Sequence, residues 1–104
     1  MNWRIVPATE TERLFGIICP KAEPGARAHV WRENGWTVWT YEYKKSERNG
    51  WPTYRARFCY WVRRESDHAE WAGGADLLRD AKSEGLAKLA VVKLPDSARK
   101  PRAF

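Results

Sequence analysis

The dipeptide Asn34-Gly35 constrains this chain more than any other feature. It sits between two runs of β-favouring residues, Ala28 to Glu33 and Trp36 to Tyr43. Asn-Gly favours the positive φ angles of a type I′ turn, whose twist suits a two-residue hairpin. The short loop fixes the register, with Glu33 opposite Trp36, Trp31 opposite Val38 and Val30 opposite Trp39. Ala28, Val30, Trp39, Tyr41 and Tyr43 then share one face, and His29, Trp31, Trp36, Val38, Thr40 and Glu42 share the other.

A third extended segment is predicted over Tyr54 to Arg64. Alternation puts Tyr54, Ala56, Phe58, Tyr60 and Val62 on one side and Arg55, Arg57, Cys59, Trp61 and Arg63 on the other. The Val30, Trp39, Tyr41 side of the hairpin is the better match for the Phe58, Tyr60 side. This gives a three-stranded antiparallel meander with a tyrosine-rich core face. The other face carries Arg55, Arg57, Arg63 and Trp61 close to Trp31, Trp36 and Thr40.

Flanking elements follow from turn and cap signals. Asn2 to Val6 and Arg13 to Cys19 read as short strands stopped by prolines, with a polar turn between them, and Lys21 to Arg27 reads as a loop. Lys44 to Pro52, with a second Asn-Gly at Asn49-Gly50, reads as a basic connecting loop. Asp67-His-Ala-Glu70 has the form of a capping box, so a helix is expected to start there and to end at Gly85. Trp71, Ala75, Leu78, Ala81 and Gly85 form its apolar stripe, which should pack under Tyr41, Phe58 and Tyr60. Leu89 to Leu94 reads as a final strand, and Pro95 to Phe104 as a disordered basic tail.

The expected fold class is α+β: a small antiparallel sheet, a three-stranded meander plus N-terminal strands, with one main helix on one face. A chain of 104 residues has room for one domain, expected over 1–94, with the tail at 95–104. No apolar run approaches the roughly 20 residues of a membrane-spanning helix. The N-terminus lacks a charged segment followed by an apolar one, so a cytoplasmic, reducing location is expected, with Cys19 and Cys59 as buried free thiols.

The charge of +6 is uneven. Lys44, Lys45, Arg48, Arg55, Arg57, Arg63 and Arg64 are opposed between positions 44 and 64 only by Glu47. Guanidinium groups pair with phosphates and indoles stack on bases, so interleaved Arg and Trp suit nucleic acid. The leading expectation is a non-enzymatic protein that binds nucleic acid or a nucleoprotein complex. Its contact residues would be Arg55, Arg57, Arg63, Trp61, Trp31 and Trp36, supported by Lys44, Lys45 and Arg48. The alternative for the same face is a second core layer: if the N-terminal segment folds over it, its indoles become interior and its arginines reach out at the rim.

Cys19, Cys59, His29 and His68 lack the short spacing of a zinc site, and no metal or cofactor is expected. Asp67, His68, Glu65 and Glu70 have the chemistry of an acid-base cluster, but capping accounts for two of the acids. No catalytic site is assigned.

The meander followed by a helix resembles the sheet-in-groove DNA-binding domains of plant transcription factors and of the integrase arm-binding type. Over positions 28 to 72, the order Val30-Trp-Arg-Glu-Asn-Gly35, a second strand, a loop with Asn49-Gly50, a third strand and an acidic helix start is similar to that of a small phage anti-CRISPR protein family. That resemblance implies a host CRISPR-Cas surveillance complex as partner. The protein would then be a phage-encoded inhibitor acting through protein contacts in the host cytoplasm, and its positive charge argues against DNA mimicry.

Overall fold

The computed structural model describes residues 3–44, 46–48, 51–53 and 56–94, with side chains described for 3–44 and 56–94. A five-stranded antiparallel sheet forms from β1 (Arg4–Pro7), β2 (Arg27–Glu33), β3 (Trp36–Glu42), β6 (Phe58–Arg64) and β7 (Ala69–Ala75), in that spatial order. Between β3 and β6 the chain makes a separate two-stranded ribbon, β4 (Ser46–Arg48) with β5 (Trp51–Thr53). A short 3-10 turn and helix α1 (Thr11–Phe15) precede β2, and α2 (Leu78–Val92) follows β7. The fold is thus a small α+β fold with one main helix on an antiparallel sheet.

The β2–β3 hairpin has the expected register, Glu33 against Trp36, Trp31 against Val38 and Val30 against Trp39. Its turn is not type I′. Only Gly35 takes a positive φ, of 80°, which is the pattern of a type II turn, where glycine at the second central position is required. The Gly35 carbonyl accepts the Glu65 N–H at 2.9 Å, so the turn is also tied to the end of β6.

The face assignment across β3 and β6 is the opposite of the one expected. Trp39 pairs with Trp61, Tyr41 with Cys59 and Thr37 with Arg63. The arginine-bearing side of β6 therefore continues the Val30, Trp39, Tyr41 side of the hairpin. The other face holds Trp31, Trp36, Val38, Thr40, Tyr60 and Val62.

Each face has its own cover. On the helix face, α2 lies over β3, β6 and β7, and Val38, Val62, Leu89 and Val92 form a core flanked by Trp3, Trp31, Trp36, Trp71 and Leu86. The buried helical stripe is Ala81, Gly85, Leu89 and Val92. Gly85 is interior to the helix, and Leu89–Val92 continue its period as helix, which corrects both the expected stop and the expected last strand. Gly85 permits the approach: a Cβ there would lie 2.9 Å from Val38 Cγ1. On the opposite, cap face, Val6, Ala8, Ile17, Ala28, Val30, Trp39, Tyr41 and Cys59 form a second core under the N-terminal segment. Tyr41 belongs here, away from the helix, and its hydroxyl donates to the Pro20 carbonyl at 2.8 Å.

Two other elements differ from expectation. Thr11–Phe15 is helical where a strand was expected from Arg13, and Gly16 ends that helix at φ 68°, its N–H bonding the Glu12 carbonyl. Asp67 does not cap a helix; it closes the β6–β7 turn. Its carboxylate accepts from Arg64 Nε and Nη2 at 2.9 and 2.7 Å and from the Ala69 N–H at 3.1 Å, while His68 takes φ 60°. A carboxylate bonding the amide two residues on is an Asx turn, which uses the same acceptor chemistry as an N-cap. The expected disordered tail, 95–104, lies outside the described residues. No helix is long and apolar enough to cross a membrane among the described residues.

Candidate functional site

The residues expected to make one contact surface are divided between the two faces and the ribbon. Trp31 and Trp36 lie together on the helix face, partly buried. Trp31 Nε1 donates to Glu33 at 2.9 Å, and Glu33 also pairs with Lys93, which ties the end of α2 to β2. These two donors hold the Glu33 carboxyl below its ordinary value, the Lys93 bond contributing most. Trp36 packs on Trp71 at 6.1 Å between ring centres, with the Arg64 guanidinium 6.0 and 5.5 Å from the two rings.

Trp61 and Arg63 are on the cap face, and they form no open cationic strip. Trp61 stacks on Trp39 with ring centres 6.0 Å apart and planes 9° from parallel. Arg63 is only 9 % exposed. Its Nε donates to Glu65 at 3.0 Å, and its Nη1 and Nη2 donate to the carbonyls of Gly16 and Phe15 at 3.1 and 3.4 Å. This buried guanidinium staples the end of α1 to β6 and is corrected here from a surface contact to an internal one. Partial burial raises the Glu65 carboxyl, but bonds from Thr37 at 2.6 Å and from Arg63 outweigh it and leave the group below its ordinary value. The N-terminal segment does cover Trp61, as the second-core alternative expected, but Trp31 and Val38 lie on the other face and Arg63 is enclosed instead of reaching out at a rim.

What remains open on the cap face is a hollow of about 390 Å³ lined by Gly16, Ile18, Pro20, Trp39, Trp61, Arg63 and Glu70. Ile18 on its rim is 61 % exposed. The buried Trp39 Nε1–H has no acceptor among the described residues.

Of the remaining cations, Arg48 is in the ribbon, and Lys44 and Arg57 lie at its base. The Tyr43 N–H bonds the Arg57 carbonyl at 2.9 Å and the Lys44 N–H bonds the Lys21 carbonyl at 2.7 Å, so the two strands of the ribbon leave the sheet at a braced base. Arg57 is exposed and paired with Glu42 at 2.6 Å. In the ribbon Arg48 is opposite Trp51 and Glu47 opposite Pro52. Lys45, Arg55, and the side chain of Arg48 lie outside what is described. From Lys44 to Arg57 the sequence has five basic residues against the single Glu47.

Several groups with reactive chemistry are buried or paired. Burial raises the Cys59 thiol despite bonds with Tyr41, and burial also raises Cys19, which is half-buried rather than interior. Both cysteines are free. Burial, then the nearby Lys82 and Arg27, lowers His29. Of the acids grouped with His68, Asp67 and Glu65 are engaged by Arg64 and Arg63. No three His, Cys, Asp or Glu side chains converge as a metal site would require, among the described residues.

Strand β7 was read in the sequence as the start of the helix, and the ribbon was missed as an element. Its signal was Asn49-Gly50, the same dipeptide that marks the β2–β3 turn, but with only three residues on each side it reads as a loop. The chain matches no family model, no curated protein and no solved structure.

Proposed function

We propose that the protein binds nucleic acid, alone or within a nucleoprotein complex, through the β4–β5 ribbon, and that it does so without catalysis. One observation carries this reading: the segment 44–57, which holds four of the chain's six net positive charges, contains a two-stranded ribbon separate from the five-stranded sheet, with Arg48 in the ribbon and Lys44 and Arg57 at its base. A β-ribbon fits the roughly 12 Å major groove of a duplex, where Arg48 and the basic residues that flank the ribbon in sequence would contact phosphates on either side. Trp51 and Pro52 follow the Asn49-Gly50 dipeptide directly in the sequence. Tryptophan stacks on an exposed base, and proline is one of the residues that wedge between base steps.

The test is the salt dependence of binding to labelled duplex and single-stranded oligonucleotides. Four phosphate contacts give a slope of log K against log salt of about −3.6, a loss of roughly 100-fold between about 50 and 200 mM salt. Replacing Lys44, Lys45 and Arg48 by alanine should flatten the slope by about 2.7. Absence of binding at about 50 mM salt defeats the proposal.

The hollow beside Trp61 favours a second reading, in which the protein occludes a nucleic-acid-binding complex through protein contacts. Its apolar rim and the unpartnered Trp39 N–H suit an inserted side chain bearing an acceptor. Recovery of a host protein partner that survives nuclease treatment and is lost in Ile18→Asp supports this reading, and recovery of nucleic acid alone counts against it.

A further inference from the structure

β7 is the last strand of the sheet, and among the described residues no strand pairs with its outer edge. Free edges invite pairing, so proteins usually shorten them, place Pro or Lys in them, or bulge them. The opposite edge obeys this rule, because β1 has four residues, carries Arg4 and ends in Pro7. β7 has none of these protections. It is seven residues long, contains no Pro or Lys, and pairs one-to-one with β6 from Arg64↔Ala69 to Phe58↔Ala75 without a bulge. Its single charge is Glu70.

We infer that a second copy of the chain occupies this edge, β7 running antiparallel to β7 about a two-fold axis through Ala72. A two-fold pairing must be self-complementary, and this one is. With all seven residues paired, Glu70 falls opposite the second copy's Gly74, so the two acids do not face each other. Trp71 falls opposite Gly73, and the Tyr60 ring lies over Gly73 so closely that a Cβ there would be 2.3 Å from the Tyr60 hydroxyl oxygen. Both large or charged residues of the outer half, Glu70 and Trp71, thus face a glycine across the axis, so no two bulky side chains collide. An unrelated extended peptide has no reason to satisfy this match at every step. Leu77, two residues past the end of β7, is 46 % exposed and adds an apolar group near that end of the edge. The dimer does not depend on what the ribbon binds.

Light scattering and sedimentation equilibrium on the full chain test this. The expected mass is twice 12.1 kDa, with dissociation on dilution. Ala72 is exposed, so Ala72→Lys fits the separate chain but brings two ammonium groups together on the axis; that variant is expected at 12.1 kDa with an unchanged circular dichroism spectrum. Ala72→Cys should give a disulfide-linked dimer on oxidation, because directly opposed residues are within bridging range, whereas the exposed Ser66→Cys should not. The cross-link decides the matter if Ala72→Lys fails to fold. A mass of 12.1 kDa up to about 1 mM overturns the inference. So does a dimer that persists in Ala72→Lys and is not captured by Ala72→Cys, or a single chain that takes an unrelated extended peptide at this edge.

Discussion

Replacing Gly85 with alanine isolates the contact that seats α2 on the sheet. At an exposed position inside a helix, Gly→Ala gains about 1 kcal/mol. Here the added methyl lies 2.9 Å from Val38 Cγ1 and 3.4 Å from Tyr60 Cβ. Val38 is fully buried and β-branched, so its χ1 is restricted and its methyls have little room to give way. Overpacking of this kind costs about 1–3 kcal/mol. Against the propensity gain, the net expectation is a loss of about 1 kcal/mol, or a Tm lower by about 4–8 °C in a domain of this size. The cycle with Val38→Ala sharpens the test, because removing Cγ1 empties the space the methyl needs. In that background Gly85→Ala should stabilise by about 1 kcal/mol, a coupling of about 2 kcal/mol between the two positions. Urea denaturation followed by tryptophan fluorescence measures all four proteins. Equal stabilisation by Gly85→Ala in both backgrounds would refute the packing of α2 against β3.

Other consequences follow from the same geometry. Arg63→Ala should destabilise by about 2–4 kcal/mol, because it strands the Phe15 and Gly16 carbonyls and leaves Glu65 without its main counter-charge, while Arg57→Ala, at an exposed pair, should cost under about 1 kcal/mol; chemical denaturation separates the two. Bonds from Arg64 and the Ala69 amide lower Asp67 from its ordinary 3.8 to about 2. Its contribution is thus present above the ordinary value and is lost as pH falls through about 2, so the stabilities of wild type and Asp67→Asn should converge as pH drops from about 4 to about 2. An NMR titration of the Asp67 carboxyl checks the same point, and a midpoint near 3.8 would contradict the turn geometry.

Local signals were legible in the sequence, and choices that depend on distant partners were not. Asn34-Gly35 closes a hairpin with no help from the rest of the chain, so its register could be read directly. The parity between β3 and β6 could not, since fourteen residues with a ribbon of their own connect Tyr43 to Phe58 and any shift by one exchanges the faces. That single exchange moved Trp61 and Arg63 from a proposed surface into the cap-face core. Asp67 misled because an Asx turn and an N-cap use one carboxylate in the same way. Gly85 read as a helix stop and Gly73 fell inside the expected helix, but Val38 and Tyr60 lie against them, and those contacts exist only after folding. The cationic segment from Lys44 was visible throughout; its form as a ribbon was not.

The most direct test of the ribbon as the contact element is a two-dimensional NMR spectrum of the indole N–H groups, assigned by single Trp→Phe changes, recorded while a short duplex is added. Trp51 is expected to shift with the oligonucleotide while Trp39 and Trp61, held in the cap-face core, stay in place. Shifts at Trp61 and Trp39 with none at Trp51 would contradict it.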